Sequence, residues 1–381
     1  MSEQPKKSEI AELTGLRGLA ALLIIINHLV LVLPCIRKTD LCYYTTQCGV
    51  FGMSLFFVLS GIVIYYNYAD RLLSSPGLGI RQFLLARFAR LYPLYFVFIL
   101  SFFIVNLFRY PELAARHISS LPLFLAGLQS WIYGYIDGTE IVYLQAEANI
   151  SWSISTEFAL YFLFVPVVFV LGKLDARKAL GLFAMVFVLR FVFLHVVYGL
   201  DFPGEWLDKV FPGHPDAVWA YLVYHSPIGR FFEFLSGCAI AGLYLNLQGR
   251  SPGRPWVVFS YCAWFLSAAI VVCIVFKLFS FPLWDHTMIT PCVMLFCLGL
   301  PALGGRILRW RPLVFLGEVS YSAYLLHIVF VILLHYGGSN WHSITGTLIG
   351  FVVLTYVTAF LAYRYFEMPA RRAIRKFFMG K

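Results

Sequence analysis

The chain is 381 residues long, 60% hydrophobic and 13% charged, with a formal net charge of +10 and a mean hydropathy of +0.79. Soluble domains carry about 45–50% apolar and about 25% charged residues, so this composition excludes a water-soluble enzyme and implies an all-α polytopic membrane protein. Basic flanks beside anionic lipid headgroups account for the net charge, which gives no ground for nucleic-acid binding.

Residues 1–13 are too long and mixed for a secretory signal, and no small-residue cleavage site follows, so the first apolar run is expected to remain as a span. That run, GLRGLAALLIIINHLVLVL, has Arg17 at its head and His28 deep inside. On a helix the two project from one face, about 16 Å apart along the axis. Ionisable groups in such a segment face a protein interior or a watery cavity. The shared face sets a joint role for the pair against a plainer one, a flank charge and a packing histidine.

Further spans are expected near 50–68, 91–108, 152–171, 179–199, 228–246, 256–276, 285–302, 313–335 and 345–363, about ten in all. Arg87 and Arg90, in RFARLYP just before the third span, lie three apart. Forked guanidiniums at this spacing suit phosphate, and they also suit simple anchoring at a cytoplasmic face. With Arg17 at the same face, the three arginines can hold the phosphates of a donor whose arm reaches along the first helix.

The stretch 118–135 is apolar but short, and Pro122, Gly127, Gln129, Ser130 and Gly134 interrupt it. If it does not cross, most of the 29 Lys and Arg residues fall on one side. If it does, every later loop inverts and most of these basic residues fall on the outer side instead. The positive-inside rule therefore predicts an outer re-entrant or interfacial segment, with both termini cytoplasmic. Inner loops are then basic, while the outer stretches 137–150 and 200–226 are acidic and aromatic. Of eight cysteines, Cys35, Cys42 and Cys48 share one loop, which would allow a single disulfide in an oxidising compartment. The sequence shows no CxxC or His/Cys metal spacing, so no metal is expected.

Later spans contain further ionisable groups. Glu157 in SWSISTEF, Arg190, and Glu233 in RFFEFLSG all count to the outer half of the membrane. Arg190 is expected to pair with Glu157 or Glu233. The ninth span, LGEVSYSAYLLH, sets Ser320, Tyr324 and His327 on one face. Counted from Pro312 and Gly15, His327 and His28 fall at similar depth. Glu367, before Pro369 and Arg371, is expected to pair with nearby arginines.

The segments LRGLAALLIIINH, FFVLSGIVI, ARFARLYPLY, SWSISTEF, LGEVSYSAYLLH and YFEMPARR together resemble the membrane-bound acyltransferase 3 family, in that family's order. The resemblance implies a single integral-membrane acyltransferase domain over 1–381, with a helical core about 13–372. It implies transfer of an acyl group, usually acetyl, from cytoplasmic acyl-CoA to an acceptor hydroxyl, typically on an extracytoplasmic or lipid-linked sugar of the cell envelope. A bacterial inner (cytoplasmic) membrane location and membrane lipid as a partner go with it. The family's essential histidine falls on His28, with Tyr324 or His327 to orient it. Its essential arginines fall on Arg17, Arg87 and Arg90, which would bind acyl-CoA. Trp152, Glu157 and Ser320 are the candidate acceptor contacts, and Arg190, Glu233 and Glu367 the candidate structural ion cluster. The chain ends soon after the last span, without the SGNH-type domain some members append, so the membrane domain is expected to handle the acceptor. The alternative is a transporter for an anionic lipid or sugar, with the same charged residues lining a pathway.

Overall fold

The computed structural model describes residues 10–33, 39–136, 138–199, 218, 220–248, 251–278, 284–303, 305, 307–336 and 344–379. Cys35, Asp137, Arg306 and most of the acidic, aromatic 200–226 stretch lie outside the described residues. Helices α1 (Ala11–Val32), α2 (Asp40–Ser74) and α3 (Pro76–Arg109) come first. After them come a short helix α4 (Ala114–Leu125) and the span helices α5 (Trp152–Leu171) and α6 (Ala176–Gly199). The second half contains α7 (Pro227–Leu247), α8 (Arg254–Val275), α9 (Trp284–Leu303), α10 (Arg311–Glu318), α11 (Ser320–Tyr336), α12 (Ile344–Ala362) and α13 (Met368–Met379).

Proline and serine set several of these starts. Pro76 and Pro227 stand in the first turns of α3 and α7, where no backbone donor is lost. The Ser226 hydroxyl caps α7 by accepting from the Gly229 amide at 3.2 Å. Among the described residues eight helices are long and apolar enough to cross a membrane, and α10 with α11, bent by 72° at their junction, is together long and apolar enough for a ninth. Met288–Pro301 within α9 is a shorter apolar helix. The protein is an all-α integral membrane protein; nine of the ten expected spans fall on these helices or on the bent pair, and the expected 285–302 span falls on the shorter one.

The ninth span departs from expectation. Instead of one straight helix over 313–335, it breaks at Val319, whose ψ of 1° ends α10. The Ser320 hydroxyl donates to the freed Gly317 carbonyl at 2.8 Å, so the break leaves that carbonyl satisfied.

The 118–135 stretch doubles back. Helix α4 has 12 residues, about 18 Å, too short to cross a bilayer. It packs back along α3, where Tyr92 donates to the Leu125 carbonyl at 3.1 Å and Tyr95 to that of Phe124. The chain turns at Gly127 (φ +67°), where a Cβ would lie 2.6 Å from the Phe158 ring. It then returns through a two-stranded hairpin, β1 (Tyr135–Ile136) and β2 (Thr139–Glu140), and a 3₁₀ segment (Ala146–Ser151) that leads into α5.

This path places Thr139 and Ala176 at opposite ends of α5. Single cysteines at these two sites, in a background freed of the native thiols, should react with an impermeant reagent from opposite sides of sealed vesicles. Labelling from one side only would contradict the re-entrant path.

Candidate active site

The centre of the molecule is a contact between α1 and the broken ninth span. A Cβ on Gly18 would lie 2.7 Å from the Gly317 amide, and one on Gly317 1.8 Å from the Thr14 carbonyl. Only glycine permits backbones this close. Further along, the Nδ1 of His28 and the Nε2 of His327 share a hydrogen bond of 2.8 Å, with rings 8° from parallel. The equal depth expected of the two histidines is thus a direct contact.

Towards the N-terminal end of α1 lies a cavity of 70 Å³ whose walls include Arg17, Arg87, Arg90, Glu157, Ser320 and Tyr324. The three arginines therefore do converge. Arg87 is more than a surface anchor, being only 6% exposed. Its Nη2 donates to the Tyr68 hydroxyl at 2.8 Å, and its guanidinium lies 4.9 Å from the Tyr68 ring centre. Glu157 accepts from Ser60 at 3.2 Å and from Tyr161. This position overturns its expected grouping with Arg190: Glu157 is the anionic partner of the arginine-lined cavity.

Towards the other end lies a second cavity of 170 Å³, large enough for several waters, with Asn27, His28, Tyr143, Asn149, Trp152 and His225 among its walls. Met53 and Tyr324 line both cavities. Tyr324 is held between them, donating to the Ile150 carbonyl at 2.9 Å and accepting from Ser153 at 2.8 Å. Its hydroxyl is thus engaged with α5 and its approach, not with either histidine. His225, overlooked in the sequence because it sits alone beside an acidic loop, ends a π-helical turn (Tyr221–His225). Such turns are frequent at functional sites. A second one, Tyr363–Glu367, ends in Glu367.

The expected cluster of Arg190, Glu233 and Glu367 is not one cluster. Glu367 accepts from Ser322 at 2.7 Å, which places it behind α11. The direct partner of Glu233 is Arg230, at 2.8 Å with both side chains buried. Ser54 and Thr290 also donate to Glu233, and Thr290 stands 3.5 Å from Arg190, so Arg190 reaches the carboxylate through a hydroxyl. Arg230 further donates to the Tyr224 carbonyl at 2.7 Å, and its guanidinium lies 4.4 Å from the Tyr224 ring centre. The signal for Arg230 was present, since Arg–x–x–Glu spacing puts both groups on one helical face. Among the described residues no group of three His, Cys, Asp or Glu side chains could hold a metal, and Cys42 and Cys48 are free thiols.

Outside the membrane-spanning helices, burial beside Tyr133, Tyr143 and Tyr221 raises the Glu140 carboxyl to about 7.

A family model described as an acyltransferase domain matches residues 10–364. Among curated proteins, the chain is 24% identical to peptidoglycan O-acetyltransferase OatA of Listeria monocytogenes, over 95% of this chain and 56% of that protein. It is 25% identical to YrhL of Bacillus subtilis, over 95% of this chain and 55% of the relative. It is 29% identical to acyltransferase MdmB of Streptomyces mycarofaciens, over 86% and 80%. The chain thus spans little more than half the length of the first two. No solved structure matches.

Two outcomes follow from this geometry. Arg230→Met should lower stability by about 3–5 kcal/mol, because Glu233 is left as an uncompensated buried charge. Adding Glu233→Gln should recover much of the loss in a detergent-unfolding titration, and a single variant within about 1 kcal/mol of the parent would rule the pair out as a stabilising element. For Glu140, the raised pKa means its contribution is complete below 4.5 and is lost as pH climbs through about 7. The thermal midpoint should therefore fall over that window in the parent and stay flat in Glu140→Gln. Parallel curves would discard the assignment.

Proposed function

The chain belongs to the acyltransferase 3 family, and on that premise we propose that it carries an acyl group, most simply acetyl, from cytoplasmic acyl-CoA to a hydroxyl of a cell-envelope glycan. The name of OatA supports a glycan such as peptidoglycan as the acceptor class. In this reading the protein is one membrane-embedded acyltransferase domain with both termini cytoplasmic. The donor enters from inside and the acceptor from outside or from a lipid-linked carrier. The observation that carries the reading is that one helix, α1, presents Arg17 to the arginine-lined cavity and His28 to the histidine pair.

Arg17, Arg87 and Arg90 hold the donor phosphates, with forked donors that match phosphate oxygens. The pantetheine arm then extends along α1 towards His28, a distance of about 16 Å. His28 is the general base. With its Nδ1–H donated to the Nε2 of His327, its own Nε2 keeps a lone pair. The partner on one imidazole nitrogen sets what the other can do. Nε2 removes the proton from the acceptor hydroxyl as that oxygen attacks the thioester carbonyl carbon. The carbon–sulfur bond breaks, the ester remains on the acceptor, and the imidazolium returns the proton to the departing CoA thiolate. His327 fixes the tautomer and ring orientation of His28, and Tyr324 keeps the two substrate chambers apart.

The test is transfer of radiolabel from acetyl-CoA to a panel of glycan acceptors by the purified protein in lipid nanodiscs. Loss of acetyl-CoA without label on any acceptor, or no consumption at all, would overturn the glycan transferase reading. Arg87→Ala should weaken acetyl-CoA binding about tenfold, with Lys only partly restoring it because the fork is lost. His28→Ala should abolish transfer while acetyl-CoA still binds, and His327→Ala should leave measurable turnover. The reverse pattern would make His327 the base.

A further inference from the structure

The second cavity, on the far side of Tyr324 from the arginines, has walls that the proposed reaction leaves without a role. Asn27 is 8% exposed and His225 is 7% exposed, and both line the cavity that His28 enters. The Oδ1 of Asn27 and the Nδ1 of His225 have no hydrogen-bond partner among the described residues. Leaving a buried polar atom unpaired costs about 1–3 kcal/mol, so two such atoms on residues that line one cavity mark a place built for something that supplies the missing bonds.

The surroundings hold these groups in position. The other ring nitrogen of His225, Nε2, meets the Tyr143 hydroxyl at 3.2 Å, and the Trp152 ring stands edge-on to the imidazole with centres 4.8 Å apart. Asn27 occupies room left by Gly49, where a Cβ would lie 2.5 Å from the Asn27 Nδ2. Asn27 also immediately precedes the proposed base in the chain.

The geometry points to a hydroxyl-reading subsite in which Asn27 and His225 bind two hydroxyls of a neutral sugar, with Trp152 as the ring wall, and so present a third hydroxyl to His28. An unpartnered amide oxygen accepts from a sugar hydroxyl, and an imidazole nitrogen donates or accepts according to its tautomer. An aromatic wall beside such polar groups offers a sugar ring an apolar face. Arg230 is turned away into its pair with Glu233, and among the described residues no carboxylate lines the cavity, which suits an uncharged sugar over an anionic or cationic one. Asn27 and His225 act here as positioning residues for the acceptor, and this assignment rests on the transferase reading above.

The experiment uses the full chain in nanodiscs, with triacetylchitotriose as acceptor and acetyl-CoA as donor. Asn27→Leu and His225→Phe should each raise the KM for chitotriose about tenfold, the effect of one lost hydrogen bond. The dissociation constant for acetyl-CoA, measured separately by calorimetry, should stay within about twofold. Gly49→Ala, which displaces Asn27 without altering its chemistry, should raise the same KM, and Asn27→Gln should recover part of the loss. An unchanged chitotriose KM in Asn27→Leu and His225→Phe would overturn the subsite. So would a parent protein that consumes acetyl-CoA but never acylates chitotriose. A parent protein that neither binds nor consumes acetyl-CoA would instead sink the transferase reading on which the subsite depends.

Discussion

The approach of α1 to α10 is the constraint on which the rest of this protein depends. Gly18 and Gly317 meet with no side chain between them, and within lipid such contacts are held by close packing, since burial from water adds nothing there. Everything further along α1 inherits its register from that contact. The same backbone pairing that seats α1 against α10 brings His28 onto His327 across nearly the whole sequence. A larger residue at either glycine would separate the helices and, with them, the histidine pair. The bend at Val319 belongs to the same arrangement, because α11 must leave the line of α10 to run beside the His28 end of α1.

Buried charge sets the second constraint. Arg87, Arg190, Arg230, Glu233 and Glu367 are all nearly or fully buried, in a protein with few charged residues to spare. Each is answered locally by tyrosine, serine, threonine, a backbone carbonyl or an opposite charge, as the low dielectric of a span requires. The arginine-lined cavity therefore combines a strongly cationic wall with one carboxylate among the described residues, Glu157, that is itself held by Ser60 and Tyr161. The second cavity differs in kind, being lined by amides, imidazoles and aromatic rings. Tyr324 and Met53 stand between two chambers of unlike chemistry, as the proposed transfer from a polyanionic donor to a sugar acceptor requires.

Much of this was legible in the sequence, for identifiable reasons. Hydropathy over 20-residue windows marks spans because the backbone must satisfy itself in lipid, and the helices fall where those windows do. The 118–135 stretch was separable because its proline and two glycines shorten the apolar run and the charge asymmetry then chooses between topologies. Arg17, Arg87 and Arg90 share a wall because each was placed by its distance from a span end. What failed were pairings across helices. Counting depth put Glu157, Arg190 and Glu233 at one level, but depth does not fix azimuth, and α5 turns Glu157 towards the arginine cavity while α7 supplies Arg230 to Glu233. His225 was invisible for a different reason: its role arises from a π turn and a neighbouring loop, and neither leaves a periodic signal.

The central claim is that donor phosphates lie at the Arg17 end of α1 and the acyl carbon at the His28 end. A structure of the wild-type protein in nanodiscs with bound acetyl-CoA tests it most directly. Phosphate oxygens should lie in hydrogen-bond contact with Arg17, Arg87 or Arg90, and the thioester carbonyl carbon within about 4 Å of His28, close enough for an attacking hydroxyl to bridge the two. A donor whose phosphates occupy the cavity of Asn27 and His225, or whose thioester stops short of Tyr324 on the arginine side, would contradict it.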